Sequence, residues 1–151
     1  MSQSSVFARI APELMSILEE LRSREPIFHT ERFGRTVEDF ERTIAPDFWE
    51  VGASGRRYSR EFILQMRSKD KLVDADSTGW KLSGFGLRRL GQDCYLLTYT
   101  LDQNGRITRR ATIWEKCDGW RLVYHQGTEV TAQEDDTLPI ADAPNRMTGN
   151  P

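Results

Sequence analysis

The sequence predicts an α+β domain in which three helices pack on an antiparallel sheet, and three observations carry that reading. Apolar residues recur at helical spacing in the first third of the chain, at Leu14, Ile17, Leu18 and Leu21 and again at Val37, Phe40 and Ile44. From Trp80 onward the pattern changes to β, in four runs at 80–90, 94–101, 107–116 and 120–130. Those runs are separated by Gly91-Gln92, Asn104-Gly105 and Asp118-Gly119, and Asn-Gly and Asp-Gly are the strongest short hairpin signals.

Pro12 suits the first turn of a helix, because its fixed φ is helical and its missing N–H would be unpaired there anyway. Glu13, Glu19, Glu20 and Arg22 fill the opposite, polar face, and Pro26 ends or interrupts the helix. Thr36 followed by Asp39 has the spacing of a capping box, although Glu or Gln is the usual partner. The second helix stops before Pro46, since a residue preceding proline avoids the helical region. A strand at 48–52, the turn Ala53-Ser54-Gly55 and a short return through Arg57-Tyr58 come next. Ser59 reads as the N-cap of a third helix carrying Phe62, Ile63 and Met66, and the polar stretch 69–79 reads as a loop.

Taking Asn104-Gly105 and Asp118-Gly119 as two-residue turns sets the register. Tyr95, Leu97, Tyr99 and Leu101 then lie opposite Trp114, Thr112, Arg110 and Thr108, with Trp114 facing Val123 and Thr112 facing His125. One face carries those residues. The other carries Leu96, Thr98, Ala111, Ile113, Trp120, Leu122, Tyr124 and Gln126. A half-solvated sheet alternates apolar with polar, whereas this one is apolar on both faces. Helices can cover one face, so a second copy of the chain is expected on the other.

At 151 residues, with 38% hydrophobic and 10% aromatic residues, the chain is one ordinary domain with a core, not a disordered segment. The folded domain is expected over 11–130, after a leader at 1–10 and before a flexible acidic tail at 131–151. The tail holds Glu134, Asp135, Asp136 and Asp142 against Arg146, together with three prolines. The chain's net charge is −2, so the body carries about +1, which gives no footprint for nucleic acid. The clusters Arg56, Arg57, Arg60 and Arg106, Arg109, Arg110 read as solvated charge. No apolar run approaches the ~18 residues of a membrane span, and the first residues do not read as a signal peptide. Cys94 and Cys117 read as free thiols, which points to the cytoplasm.

No metal-ligand spacing links these cysteines with His29 and His125, and no Gly-rich phosphate loop or Ser nucleophile elbow is present, so no metal or cofactor is expected. Two titratable residues stand out. His125 is either a general acid or base near neutrality, or an interface histidine bonded to Thr112 across the strands. Glu50 is either a carboxylate in an apolar setting, its pKa raised by desolvation, or a solvent-facing strand residue. Trp49, Tyr58, Trp80, Tyr99, Arg110, Trp114, Tyr124 and Gln126 are the candidate ligand-binding residues, and an aromatic stripe of this kind also serves as core.

The element order, with Ala45-Pro46-Asp47-Phe48-Trp49-Glu50-Val51-Gly52-Ala53-Ser54-Gly55-Arg56, Leu96-Leu97-Thr98-Tyr99 and Trp120-Arg121-Leu122-Val123-Tyr124-His125-Gln126-Gly127-Thr128, resembles the nuclear transport factor 2-like superfamily. Within it the chain looks like the SnoaL-like branch that neighbours the ketosteroid isomerases. The resemblance implies a cone-shaped fold, with a curved sheet wrapped on helices, a pocket at its mouth and a homodimer through the outer sheet face. The isomerases' general-base Asp falls at Gly52, and residues 11–24 lack their oxyanion-hole Tyr. His125 can be matched to the His of the polyketide cyclases, but no Asp partner accompanies it. Three functions follow as expectations. The first is a homodimer binding a small hydrophobic or aromatic molecule in the cone pocket. The second is acid/base catalysis of the isomerase, cyclase or lyase type, with Glu50 or His125 as base and Tyr58 or Tyr99 as donor. The third is an interaction module without a ligand.

Overall fold

The computed structural model describes residues 9–69 and 73–131. All but the first residue of the expected acidic tail and all but the last two of the expected leader lie outside the described residues.

A 3-10 turn at Pro12–Leu14 leads into α1, Met15–Arg22, whose inward face buries Leu18 and Leu21 beside Leu14. The segment after α1 folds inward and buries Ile27, Phe28 and Phe33. α2, Val37–Thr43, starts at the expected capping box: Thr36 Oγ1 accepts from the Asp39 amide, and the Asp39 carboxylate accepts from the Thr36 amide. Phe40 on α2 meets Phe28 edge-on at 5.3 Å, and Phe28 meets Phe33 at 4.8 Å. Each such ring removed from water contributes about 1.5–3 kcal/mol.

The first strand begins earlier than expected. β1 spans Ile44–Val51, directly after α2, and contains Pro46. Pro46 is tolerated because the ladder between β1 and the last strand is interrupted between Ile44 and Trp49, where its missing N–H breaks no bond. β2, Arg57–Ser59, returns beside β1. Ser59 Oγ accepts from the Phe62 amide at the start of α3, Arg60–Lys69. The stretch expected to be all loop contains one helical turn, α4 at Ala75–Thr78. It is capped by Asp74 at its start and by left-handed Gly79 at its end, since two local caps suffice for one turn.

β3 (Lys81–Gly91), β4 (Cys94–Gln103), β5 (Arg106–Lys116) and β6 (Trp120–Glu129) form the meander, and the six-stranded curved sheet runs β2-β1-β6-β5-β4-β3. All neighbours are antiparallel except β1 and β6, which run parallel. The β4–β5 register is the expected one, from Tyr95 opposite Trp114 to Gln103 opposite Arg106. At β5–β6 it is half right. Thr112 faces His125 as expected, but Trp114 faces Leu122, not Val123. Lys116 pairs with Trp120, so the hairpin loop has one residue more than a two-residue turn, and a bulge at Val123 absorbs the difference. Trp120 and Leu122, expected on the same face as Leu96, Ile113 and Tyr124, are therefore buried on the opposite one, among the core residues.

Inside, Tyr95, Leu97, Tyr99, Leu101, Trp114 and Leu122 meet the helices. Outside, register places Leu96, Ile113, Tyr124 and Trp49 in one row across four strands. The first three are half-buried, Trp49 is 45% exposed, and Trp49 meets Tyr124 edge-on at 4.9 Å. Among the described residues no helix is long and apolar enough to cross a membrane.

Candidate functional site

Two neighbouring cross-strand rows on the inner face carry polar groups. One row runs Leu97, Thr112, His125, Glu50, Tyr58, and the next runs Tyr99, Arg110, Gly127. Glu50 and His125 are direct partners because β1 and β6 lie side by side. Glu50, His125, Arg110 and Gly127 of these rows form one wall of a cavity of about 140 Å³, and His29, Arg67 and Phe28 line it from the loop after α1 and from the last turn of α3. That is close to the ~150 Å³ that admits benzene, so the space suits a molecule of about six heavy atoms. A larger open depression of about 400 Å³ shares Phe28 and His29, but the rest of its wall is loop.

Gly127 and Gly52 help keep the space open. Gly52 is also required by packing, since a Cβ there would come within 2.9 Å of the Tyr58 ring. Arg67 lies one helical turn beyond buried Ile63, on the same face of α3, and its guanidinium sits 4.9 Å above the Phe28 ring. Phe28 holds a left-handed backbone, φ 67°, which costs a non-glycine residue on the order of 1–3 kcal/mol and is sustained by the aromatic cluster around its ring.

Electrostatics tie these groups together. Burial pushes the Glu50 carboxyl above the usual carboxylate range, and Arg67 and Arg110 pull it only part of the way back. Burial drives His125 down to about 3, with Arg110 adding to the effect, so the ring is neutral. His29 is lowered too, chiefly by burial, against a bond from Nδ1 to the Val73 carbonyl at 2.8 Å. His125 Nδ1 meets the Thr112 hydroxyl at 3.1 Å, the bond expected of an interface histidine, yet the ring also lines the cavity.

Behind the cavity sits a carboxylate that the sequence did not single out. Glu25 is 4% exposed. Its Oε2 accepts from the Tyr99 hydroxyl at 2.6 Å and the Ile27 amide at 3.2 Å, and its Oε1 accepts from the Trp114 indole at 3.1 Å. Burial raises its pKa, and the bonds from Tyr99, Thr112 and Trp114 and the charge of Arg110 oppose the rise. Tyr99 is held well above its ordinary value, first by burial and then by Glu25.

The sequence candidates therefore divide. Glu50, His125 and Arg110 meet at the cavity. Tyr99 and Trp114 serve Glu25 in the core, and Trp80 stands edge-on to His29 at 5.2 Å. Tyr58 packs on Phe62 at 5.3 Å. Trp49, Tyr124 and Gln126 belong to the outer face, where Tyr124 donates to the Gln126 side chain, because one-residue alternation turns them away from His125. Glu25 and Arg67 were missed. Arg67 was findable from its spacing to Ile63, and Glu25 only from the apolar Ile27-Phe28 that follows it. The expected hydrophobic pocket is corrected as well, since two arginines, two histidines and a glutamate line the space. Cys94 and Cys117 are free thiols, and among the described residues no cluster of three or more His, Cys, Asp or Glu could hold a metal.

No family model matches the chain, and no curated protein matches it. Solved structures do. A cystatin-like fold protein from Burkholderia xenovorans is similar at TM-score 0.60 and 15% identity, over 80% of this chain and 95% of that one. A nuclear transport factor 2-like protein from Cytophaga hutchinsonii gives 0.55 and 15%, over 86% and 100%. A nuclear transport factor 2-like protein of unknown function from Silicibacter pomeroyi gives 0.52 and 18%, over 86% and 100%. At such identities the likeness is one of fold, and the fold is the nuclear transport factor 2-like, cystatin-like one.

Proposed function

We propose that the chain binds a small anionic organic molecule, of about six heavy atoms, in the cavity between Glu50, His125, Arg67 and Arg110. The observation that carries the reading is the pair of guanidinium groups in a space this small, next to a carboxyl whose pKa burial has raised. A guanidinium pairs most strongly with carboxylate in a sheltered site. This replaces the hydrophobic or aromatic ligand expected from sequence. Thermal unfolding with short carboxylic acids tests it: acids raise Tm, neutral amides of the same size do not, and Arg110→Met removes the shift. Stabilisation by benzene but not by any acid would overturn it.

A second reading is acid/base catalysis at the same site, favoured by the placement of Glu50 beside neutral His125. Glu50 would then exchange a carbon-bound proton of the ligand with solvent. Deuterium incorporation from heavy water that disappears in Glu50→Gln supports this reading, and its absence in the wild type sinks it.

The outer face is assigned to a second copy of the chain. The apolar row Leu96, Ile113, Tyr124, Trp49 has Glu115 paired with Arg121 alongside it. A two-fold axis across such a row sets Glu115 of one copy near Arg121 of the other, the self-complementarity an isologous dimer needs. A monomeric mass in solution at micromolar concentration would refute this assignment. Two free thiols favour the cytoplasm, which cell fractionation checks.

A further inference from the structure

A glycine inside a β-strand weakens it, and it marks a bulge, a backbone conformation closed to other residues, or a place where something approaches the chain closely. Gly127 on β6 is such a residue. No bulge lies there, since Ala111, Arg110 and Arg109 pair in unbroken register with Gln126, Gly127 and Thr128. Its backbone is not at positive φ, unlike that of Gly119 in the hairpin before it. Nor does packing forbid a side chain. Gly127 is buried, yet a Cβ added to it would have one other atom within 4 Å, the Ala53 amide nitrogen at an ordinary 3.9 Å. What lies in front of Gly127 is the cavity. Arg110 is its direct partner across the strands, and such partners set their Cβ positions about 5 Å apart, so the missing side chain stands beside Arg110. Arg110 does not fill the place itself: no atom of it comes within 4 Å of that Cβ, and its Nε donates to the Thr108 hydroxyl at 3.1 Å, along its own strand.

We infer that Gly127 is the specificity-determining residue of the cavity: the ligand's carbon chain takes the place of the missing side chain, running from a carboxylate held by Arg110 and Arg67 toward Ala53, and the ligand is a short aliphatic acid of at most about four carbons. The inference rests on the anion-binding reading and narrows it. Ala53 and Gly52, the lining residues next to Gly127, are small and uncharged, so a hydrocarbon chain meets no charge from them. Four carbons and two carboxylate oxygens make up the roughly six heavy atoms that the space admits. A methyl group added at position 127 takes the room of one ligand carbon.

Calorimetric titration with formate, acetate, propionate, butyrate and valerate tests the inference. Wild-type affinity is expected to rise about fourfold per carbon up to butyrate and to fall at valerate. Gly127→Ala is expected to move the cut-off to propionate, weakening butyrate about tenfold and leaving acetate unchanged. Gly127→Val is expected to move it to acetate or formate. The free Gly127→Ala protein is expected to melt about 2 °C higher, because alanine removes the entropic cost of a strand glycine. A melting point several degrees lower would mean that the fold itself requires glycine, and would overturn the inference. An unchanged order of affinities in Gly127→Ala overturns it too, while the anion-binding reading stands. Loss of every acid in that variant, formate included, seats the carboxylate over Gly127 in place of the chain and overturns it as well. Binding of no acid by the wild type overturns the anion-binding reading and this inference with it.

Discussion

Glu25 stabilises the core only while every one of its bonds is made, because a buried carboxylate stripped of a donor keeps its full desolvation cost. Tyr99→Phe removes the 2.6 Å bond and is expected to lower unfolding free energy by about 1.5–3 kcal/mol in urea titration. A change below a few tenths would mean that Glu25 is protonated or solvated. His125 gives a second expectation, with a sign. Its pKa is about 3 in the folded chain against an ordinary 6.5, so the unfolded chain binds more protons between those values and stability falls as pH falls. Between pH 7 and pH 5 this ring alone costs about 2 kcal/mol, with His29 acting in the same direction. His125→Asn is expected to flatten that part of the stability profile, and an unchanged slope would contradict the burial of the ring. His125 and Arg110 were legible on one face because the hairpin registers and strand alternation place them there, whereas the direction of Glu50 stayed open with a single strand to read. Glu25 was not legible, because its burial depends on contacts with Tyr99 and Trp114, 74 and 89 residues away.

Secondary-structure elements were legible wherever a local interaction decides them. The Thr36–Asp39 box is complete within four residues, and Thr36→Ala is expected to cost about 1 kcal/mol, read from the denaturation midpoint. Asn104-Gly105 closes its hairpin in the register its turn type demands, with both residues at positive φ. Asp118-Gly119 carries the same signal and also has both residues at positive φ, yet β6 shifts by one residue. What decides there is packing: the bulge at Val123 lets Trp120 and Leu122 reach the core while His125 keeps its place opposite Thr112. No local propensity encodes that trade. The parallel pairing of β1 with β6 was likewise invisible, since nothing in either strand specifies a partner so far along the chain.

For the whole molecule, the two-sided apolar sheet was legible from alternation alone, and the structure accounts for one side with helices and leaves a row of four large residues on the other. Ile113→Glu places a charge in the middle of that row and is expected to yield a monomer by light scattering with the far-ultraviolet dichroism unchanged. A dimer that survives this change would place the interface elsewhere. The site also depends on the parallel pairing that joins the first long strand to the last. Glu50 and His125 become neighbours only when β6 docks between β1 and β5, closing a loop of about half the chain. A nascent chain therefore has no cavity until β6 has left the ribosome, and the cavity and the closed sheet arrive in a single event.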